Sequence, residues 1–291
     1  MEHTTLPTNA GTFHALVTTG GERPLLFLHG FPDHPPTGKP FFDALAERGH
    51  RVLAPWLRGY APSPIDGPFD VDTHVADVIA LIDKWSPNVP VDVVGHDWGA
   101  VITYALCNVA PARIARAVTL AIPHPLTFLR QLRSPAQLRA SWYMGLFQLP
   151  GSERVIRAKN YRLIDRLWRR WSPGFQLDPD QRNELHACLE ASKLGPIAYY
   201  RALTRISRAD IKRAMQPISV PLLALHGEHD GCVLPPTIDD RKRFSGPYER
   251  EVIARVGHFM HLETPTEIAD RVSAWLHGNV ANRQSVAYDR A

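Results

Sequence analysis

The chain has 291 residues, 44% of them hydrophobic, and its 33 basic and 29 acidic side chains give a formal charge of +4. That is the make-up of a soluble globular protein able to bury a sizeable core. No apolar run approaches the roughly 20 residues a bilayer span requires, and no basic-then-apolar leader precedes the first strand, so the expected location is cytoplasmic.

Thr12 to Val17 and Leu25 to His29 read as strands joined by a Gly20-Gly21 turn, and the second ends in His29-Gly30-Phe31-Pro32. Phe41, Phe42, Leu45 and Ala46 mark a short helix closed by Gly49, after which Arg51 to Ala54 is a buried strand. Arg58-Gly59-Tyr60-Ala61-Pro62-Ser63-Pro64 is a loop, and Val75, Val78, Ile79, Ile82 and Trp85 have helical spacing. A strand at Val91 to Val94 and a helix from Trp98 to Val109 follow, and then a strand from Arg116 to Leu120. Alternation stops between His124 and Ala214, an aromatic, arginine-rich stretch of helical spacing. It resumes with a strand at Pro221 to Leu225, a helix near Thr237 to Phe244 and a strand from Arg250 to Val256. A last helix opens with the capping box Thr264-Pro265-Thr266-Glu267.

Strands alternating with helices predict an α/β fold, a mostly parallel sheet covered on both faces. Residues 1–123 and 216–278 are its two halves, 124–215 a helical insertion and 279–291 a polar tail. Cys107, Cys188 and Cys232 are odd in number and widely spaced, against a disulfide framework or a CxxC metal site, and read as isolated buried thiols.

The organising stretch is Val91-Asp92-Val93-Val94-Gly95-His96-Asp97-Trp98-Gly99-Ala100. A strand that turns into a helix within a few residues, with glycines flanking the tip, has the geometry of a nucleophile elbow. Its tip is Asp97. A carboxylate attacks carbon only where that carbon carries a good leaving group or belongs to a strained ring. The same junction can also be a simple helix cap, so Asp97 needs partners. Ligand groups in an open α/β sheet gather beyond the carboxyl ends of the strands. Asp230 follows the strand ending at Leu225, and His258 the strand ending at Val256. The order nucleophile, acid, histidine is the one an elbow nucleophile requires. The backbone N–H groups of Phe31 and Trp98 are candidate oxyanion donors.

With those residues in place the chain resembles an α/β-hydrolase of the epoxide hydrolase group, close to haloalkane dehalogenases, over essentially its whole length. Gly95-His96-Asp97-Trp98-Gly99, His29-Gly30-Phe31-Pro32, the Arg58-Gly59-Tyr60 loop and Gly257-His258-Phe259 carry the likeness. The resemblance implies that the insertion is a helical cap. Trp142 to Gly151 and Ala198-Tyr199-Tyr200-Arg201 are similar to cap motifs whose tyrosines, by position Tyr143 and Tyr200, hydrogen-bond an epoxide oxygen. Tyr199 competes with Tyr200. It implies an ester on Asp97, hydrolysed by water that His258, oriented by Asp230, activates, with a vicinal diol as product and no metal or organic cofactor. Trp98, Trp142 and Phe147 suggest an apolar pocket for a small epoxide.

Dehalogenases of similar sequence cradle halide with the tryptophan after the nucleophile and a Trp or Asn where Phe31 stands. Fluoroacetate dehalogenases place arginine after the nucleophile, which Trp98 and Val101 do not replace. A haloalkane-type dehalogenase and a non-catalytic ligand receptor of this fold are the alternatives. The chain departs from the family in the loop Asp33 to Gly38, which lacks aromatic residues, and at Ala61, often glycine; both bear on pocket shape. His29, His96, His226 and His229 read as structural, and His261 as too far along to replace His258. Glu228 lies near enough to compete with Asp230. The basic run Arg154 to Arg170 reads as a solvated helix face, so no nucleic-acid partner is expected, and a homodimer is left open.

Overall fold

The computed structural model describes residues 1–278, and the expected polar tail, 279–291, lies outside them. In chain order the elements are β1 (Glu2–Thr8), β2 (Gly11–Val17), β3 (Arg23–Leu28), α1 (Lys39–Glu47), β4 (His50–Pro55), α2 (Val71–Trp85), β5 (Val91–His96), α3 (Trp98–Val109) and β6 (Ile114–Leu120). Then come α4 (Pro125–Gln131), α5 (Pro135–Ala140), α6 (Trp142–Gln148), α7 (Ser152–Trp171), α8 (Pro179–Ala191), α9 (Ile197–Ala202) and α10 (Arg208–Ala214). The chain closes with β7 (Leu222–Gly227), β8 (Tyr248–Ile253), α11 (Met260–Glu263) and α12 (Pro265–Leu276).

One sheet takes the strands in the order β1-β2-β4-β3-β5-β6-β7-β8, antiparallel at β1/β2 and β2/β4 and parallel elsewhere. The side-chain period of two divides β3 between two cores. Leu25 and Phe27 meet Phe41, Leu45, Ile268 and Trp275 of α1 and α12 on one face; Leu26 and Leu28 meet Val75, Leu81, Ile102 and Leu106 of α2 and α3 on the other. Each large apolar side chain so buried contributes roughly 1.5–3 kcal/mol. A one-residue slip would send each set to the wrong layer, which fixes the register. Between β6 and β7 the chain carries helices and no strand. Along α7, Arg162, Arg166, Arg169 and Arg170 are exposed while Trp168 and Trp171 point inward.

The structure corrects four expectations. Strand β1, unforeseen, is an edge strand in which only Leu6 is fully buried, so its sequence has no apolar run. The helix expected over Thr237 to Phe244 is a single 3-10 turn at Arg241–Arg243. There Asp239 accepts the Arg241 amide at 2.9 Å, a local bond that competes with a helix, and Asp240 accepts the Tyr248 hydroxyl at 2.8 Å. The strand expected over Arg250 to Val256 lies two to three residues earlier, and Arg255 adopts φ 63°, a left-handed turn beyond its end. Pro265 does hold the first position of α12, but Thr264 makes no capping bond and its hydroxyl turns back to the Met260 carbonyl at 3.4 Å.

Candidate active site

Strand β5 lies between β3 and β6 and delivers Asp97 at its carboxyl end. Asp97 has φ 51° and ψ −116°, a conformation that an L-residue adopts only when its surroundings impose it. Two glycines make room for the turn. A Cβ on Gly99 would lie 1.9 Å from the Leu28 carbonyl oxygen, and one on Gly30 would lie 2.3 Å from the Asp97 Cβ. Asp97 makes no side-chain capping bond to α3, which removes the helix-cap reading. Its Oδ1 accepts the Phe31 N–H at 2.8 Å, and the residue is 5% exposed. Among the described residues no other amide donates to this carboxylate.

Asp230 follows β7 and His258 follows β8, so both come up beside Asp97 at the same edge. The His258 Nδ1–H donates to Asp230 Oδ2 at 2.8 Å, and its Nε2 stands 3.6 Å from Asp97 Oδ2. Asp230 Oδ1 accepts the amides of Cys232 and Val233 at 2.8 and 3.0 Å, which aims the other oxygen at the imidazole. Burial opposes a charge on His258, but the carboxylates of Asp230 and Asp97 outweigh it and raise the imidazole to about 10. Glu228 is exposed and accepts the Arg255 amide at 2.9 Å, so it is no rival to Asp230. His261 faces Asp33 at 3.8 Å, and His96 donates to the His258 carbonyl at 3.0 Å.

The sequence reading missed what holds these loops. The Trp171 carbonyl, at the end of α7, accepts the amides of His258 at 2.9 Å and Gly231 at 3.2 Å. The next residue, Ser172, accepts the Phe259 amide on its hydroxyl at 2.9 Å. A Cβ on Gly257 would lie 2.6 Å from the Trp171 carbonyl oxygen, which is why glycine precedes the histidine. Glu263 accepts the Gly257 amide at 2.9 and 3.0 Å. On the opposite side Arg58 forms a buried two-pronged pair with Asp77, both bonds 2.7 Å, and the Tyr60 hydroxyl donates to the Gly30 carbonyl at 3.0 Å, bracing the loop of Phe31.

Tyr143 of α6 and Tyr200 of α9 are both buried, their rings 5.7 Å apart and edge to face. Tyr200 stands at 90° to Trp98, centroids 5.2 Å apart, and touches Phe31 and Phe147 in the same fashion. Burial, with the Asp97 charge added, pushes both phenols well above the ordinary 10, so they are neutral donors. The Tyr143 hydroxyl contacts Cys232 Sγ at 3.3 Å, whereas the buried Tyr200 hydroxyl has no hydrogen-bond partner among the described residues. Tyr199 differs: its hydroxyl donates to the Arg58 carbonyl, fastening the inserted helices to the Arg58 loop. Trp142 corrects an expectation. It is 39% exposed, because one turn of α6 buries Tyr143 and Phe147 and leaves Trp142 on the other face.

Two surface hollows of about 490 and 740 Å³ lie elsewhere, the first beside β1 and Trp85, the second among Pro36, Trp56, Pro62 and Cys188. Two groups bring potential metal-ligand atoms within 4.8 Å of one another: Asp33, His96 and His261, and Asp97, Cys232 and His258. Among the described residues no helix is long and apolar enough to cross a membrane.

Residues 23–265 match the family described as alpha/beta hydrolase fold. The chain is 33% identical to the AB hydrolase superfamily protein YfhM of Bacillus subtilis, over 55% of this chain and 57% of that protein. That match thus spans little more than half of the relative's length. It is 28% identical to epoxide hydrolase A of Mycobacterium tuberculosis, over 87% of this chain and 90% of that one. The crystal structure of epoxide hydrolase VrEH1 from Vigna radiata superposes with a TM-score of 0.79 at 25% identity, covering 95% of this chain and 98% of that chain.

Proposed function

The chain belongs to the α/β-hydrolase fold family and is similar to the epoxide hydrolases within it, and from that premise we propose that it opens small apolar epoxides to vicinal diols through an ester on Asp97. The observation that carries this reading is the Tyr200 hydroxyl, buried and unpaired over the aromatic cluster at Asp97. An unmade hydrogen bond in such a place costs about 1–3 kcal/mol. An epoxide oxygen between Tyr143 and Tyr200 supplies the missing acceptor.

In the first step Asp97 Oδ2 attacks an epoxide carbon, the carbon–oxygen bond of the ring breaks, and a tyrosine hydroxyl passes its proton to the departing oxygen. Oδ1 stays on the Phe31 N–H. Before this step His258 lies between two carboxylates and is held protonated, so it is no base. Esterification abolishes the Asp97 charge, one of the causes of the raised pKa, and the imidazole then gives up its proton to the tyrosinate left by ring opening, which restores the phenol. His258 Nε2 next deprotonates a water that attacks the Asp97 carboxyl carbon, with the oxyanion received by Phe31 and, after a small shift of the loop, by Trp98. The ester bond breaks, His258 protonates the leaving alkoxide, and the remaining water proton, left on the Asp97 carboxyl, returns to His258 and restores the resting pair. Residues 124–215 serve as the cap that brings both phenols over Asp97, with Trp98 and Phe147 against the substrate.

A single turnover in oxygen-18 water tests the route. Peptide mass spectrometry should find the label in the Asp97 side chain; labelled diol beside unlabelled Asp97 would overturn it.

A further inference from the structure

Cys232 takes no part in that reaction, yet its sulfur reaches the same point as the nucleophile and the base. Ligand atoms of Asp97, Cys232 and His258 all lie within 4.8 Å of one another, and all three residues are buried. Zinc bonds of roughly 2.0–2.1 Å to oxygen and nitrogen, opened to about 110–120°, separate two ligand atoms by roughly 3.3–3.6 Å. Asp97 Oδ2 and His258 Nε2 already stand 3.6 Å apart.

The side chains are also presented as ligands. His258 Nε2 is buried with no hydrogen-bond partner among the described residues, and the other ring nitrogen donates to Asp230, the outer bond that orients metal-binding imidazoles. Among the described residues only Oδ1 of Asp97 accepts a hydrogen bond, so Oδ2 is available to coordinate. Among the described residues Cys232 Sγ has a single hydrogen-bond contact, the Tyr143 hydroxyl at 3.3 Å. Coordination releases the thiol proton and the proton on His258 Nε2 to solvent. A thiolate, an imidazole and a carboxylate form a donor set that favours zinc and its softer congeners over magnesium or calcium.

We propose that Asp97, Cys232 and His258 form an inhibitory site for a thiophilic divalent cation, zinc or cadmium, which blocks the nucleophile and the base together. The site shares two residues with the proposed reaction, but binding can be read without turnover, so the two readings fail separately.

The full chain is titrated with cadmium and followed by thiolate-to-cadmium charge-transfer absorbance in the ultraviolet. One ion per chain should bind, zinc should compete, EDTA should reverse it, and Cys232→Ser and Cys232→Ala should abolish the absorbance while melting cooperatively. Zinc inhibition of epoxide turnover should weaken by at least about 10–100-fold in Cys232→Ala, since losing a ligand matters no less than losing an outer partner. His3→Ala removes the exposed His3–His14 pair, rings 3.1 Å apart at their nitrogens, and should change neither readout. No charge-transfer band in the wild type, a band that survives Cys232→Ser through Cys107 or Cys188, or zinc inhibition indifferent to Cys232 would overturn the site. A band that depends on Cys232 in a chain that turns over no epoxide would keep the metal site and reject the reaction.

Discussion

Asp230→Asn separates the two halves of the proposed reaction. Asp230 Oδ1 accepts two backbone amides, at 2.8 and 3.0 Å, and Oδ2 accepts the His258 Nδ1–H at 2.8 Å. An asparagine must keep its oxygen on the amides, because its NH2 cannot accept them. That turns the NH2 toward Nδ1, which then has to accept, and the proton of the neutral imidazole moves to Nε2. The nitrogen that should take a proton from water is the one already occupied. Ester hydrolysis should slow by about 10³–10⁴-fold, roughly 4–5 kcal/mol in the barrier. Alkylation of Asp97 needs no base and should suffer far less. Rapid quenching and intact-mass measurement should therefore show the variant accumulating one alkyl adduct per chain, located on Asp97. Diol formation within tenfold of wild type, or an inactive variant with no adduct for any epoxide the wild type consumes, would refute the argument.

Tyr143→Phe and Tyr200→Phe should each slow single-turnover alkylation by about 10–100-fold, and the pair together by about 10²–10⁴-fold, within the usual range for general-acid assistance; a double variant with wild-type alkylation contradicts the assignment. Ser172→Ala leaves the Phe259 amide buried without its acceptor and should lower stability by about 1–3 kcal/mol in urea unfolding, with kcat falling as the His258 loop loosens. Unchanged unfolding together with unchanged turnover counts against it. His34, His50, His74 and His124 are pushed by burial from 6.5 to about 4, 4, 3 and 4, so the unfolded chain takes up protons that the folded chain refuses and stability should fall as pH drops from 6.5 toward 4. His258, raised to about 10, works in the other direction: its contribution is complete below 6.5 and is lost as pH climbs toward 10. A urea midpoint that rises steadily on acidification would break the first half of this account, and one that rises steadily from pH 7 to 10 the second.

The parallel strands were legible because burial on both faces leaves unbroken apolar runs such as Leu222 to Leu225. Edge strand β1 was not, because six of its seven residues are not fully buried and its sequence has neither a run nor strict alternation. Asp97, Asp230 and His258 could be found because topology sends every parallel strand's carboxyl end to one edge, so order along the chain translates into proximity. The motif pointed to Tyr200 by position, but setting Tyr199 aside needed coordinates, since adjacent helical residues point about 100° apart and only the structure shows the Tyr199 hydroxyl bonded to the Arg58 carbonyl. Trp171 and Ser172 were missed for a different reason. They act through a carbonyl and a hydroxyl that receives an amide, and neither leaves a periodic or motif-like trace. Cys232 is the buried free thiol expected; the role proposed for it has only a positional signal, two residues past Asp230.

The carbonyl of Trp171 belongs to the inserted helices, yet the two amides it receives belong to the loops that carry the acid and the imidazole. The inserted helices are thus a structural support of the proposed site beneath them. Anyone replacing residues 124–215 to alter substrate range should move the splice point to the C-terminal side of Ser172, or rebuild that junction by hand, because a graft that discards it removes the acceptors that hold the Asp230 and His258 loops whatever its new walls recognise.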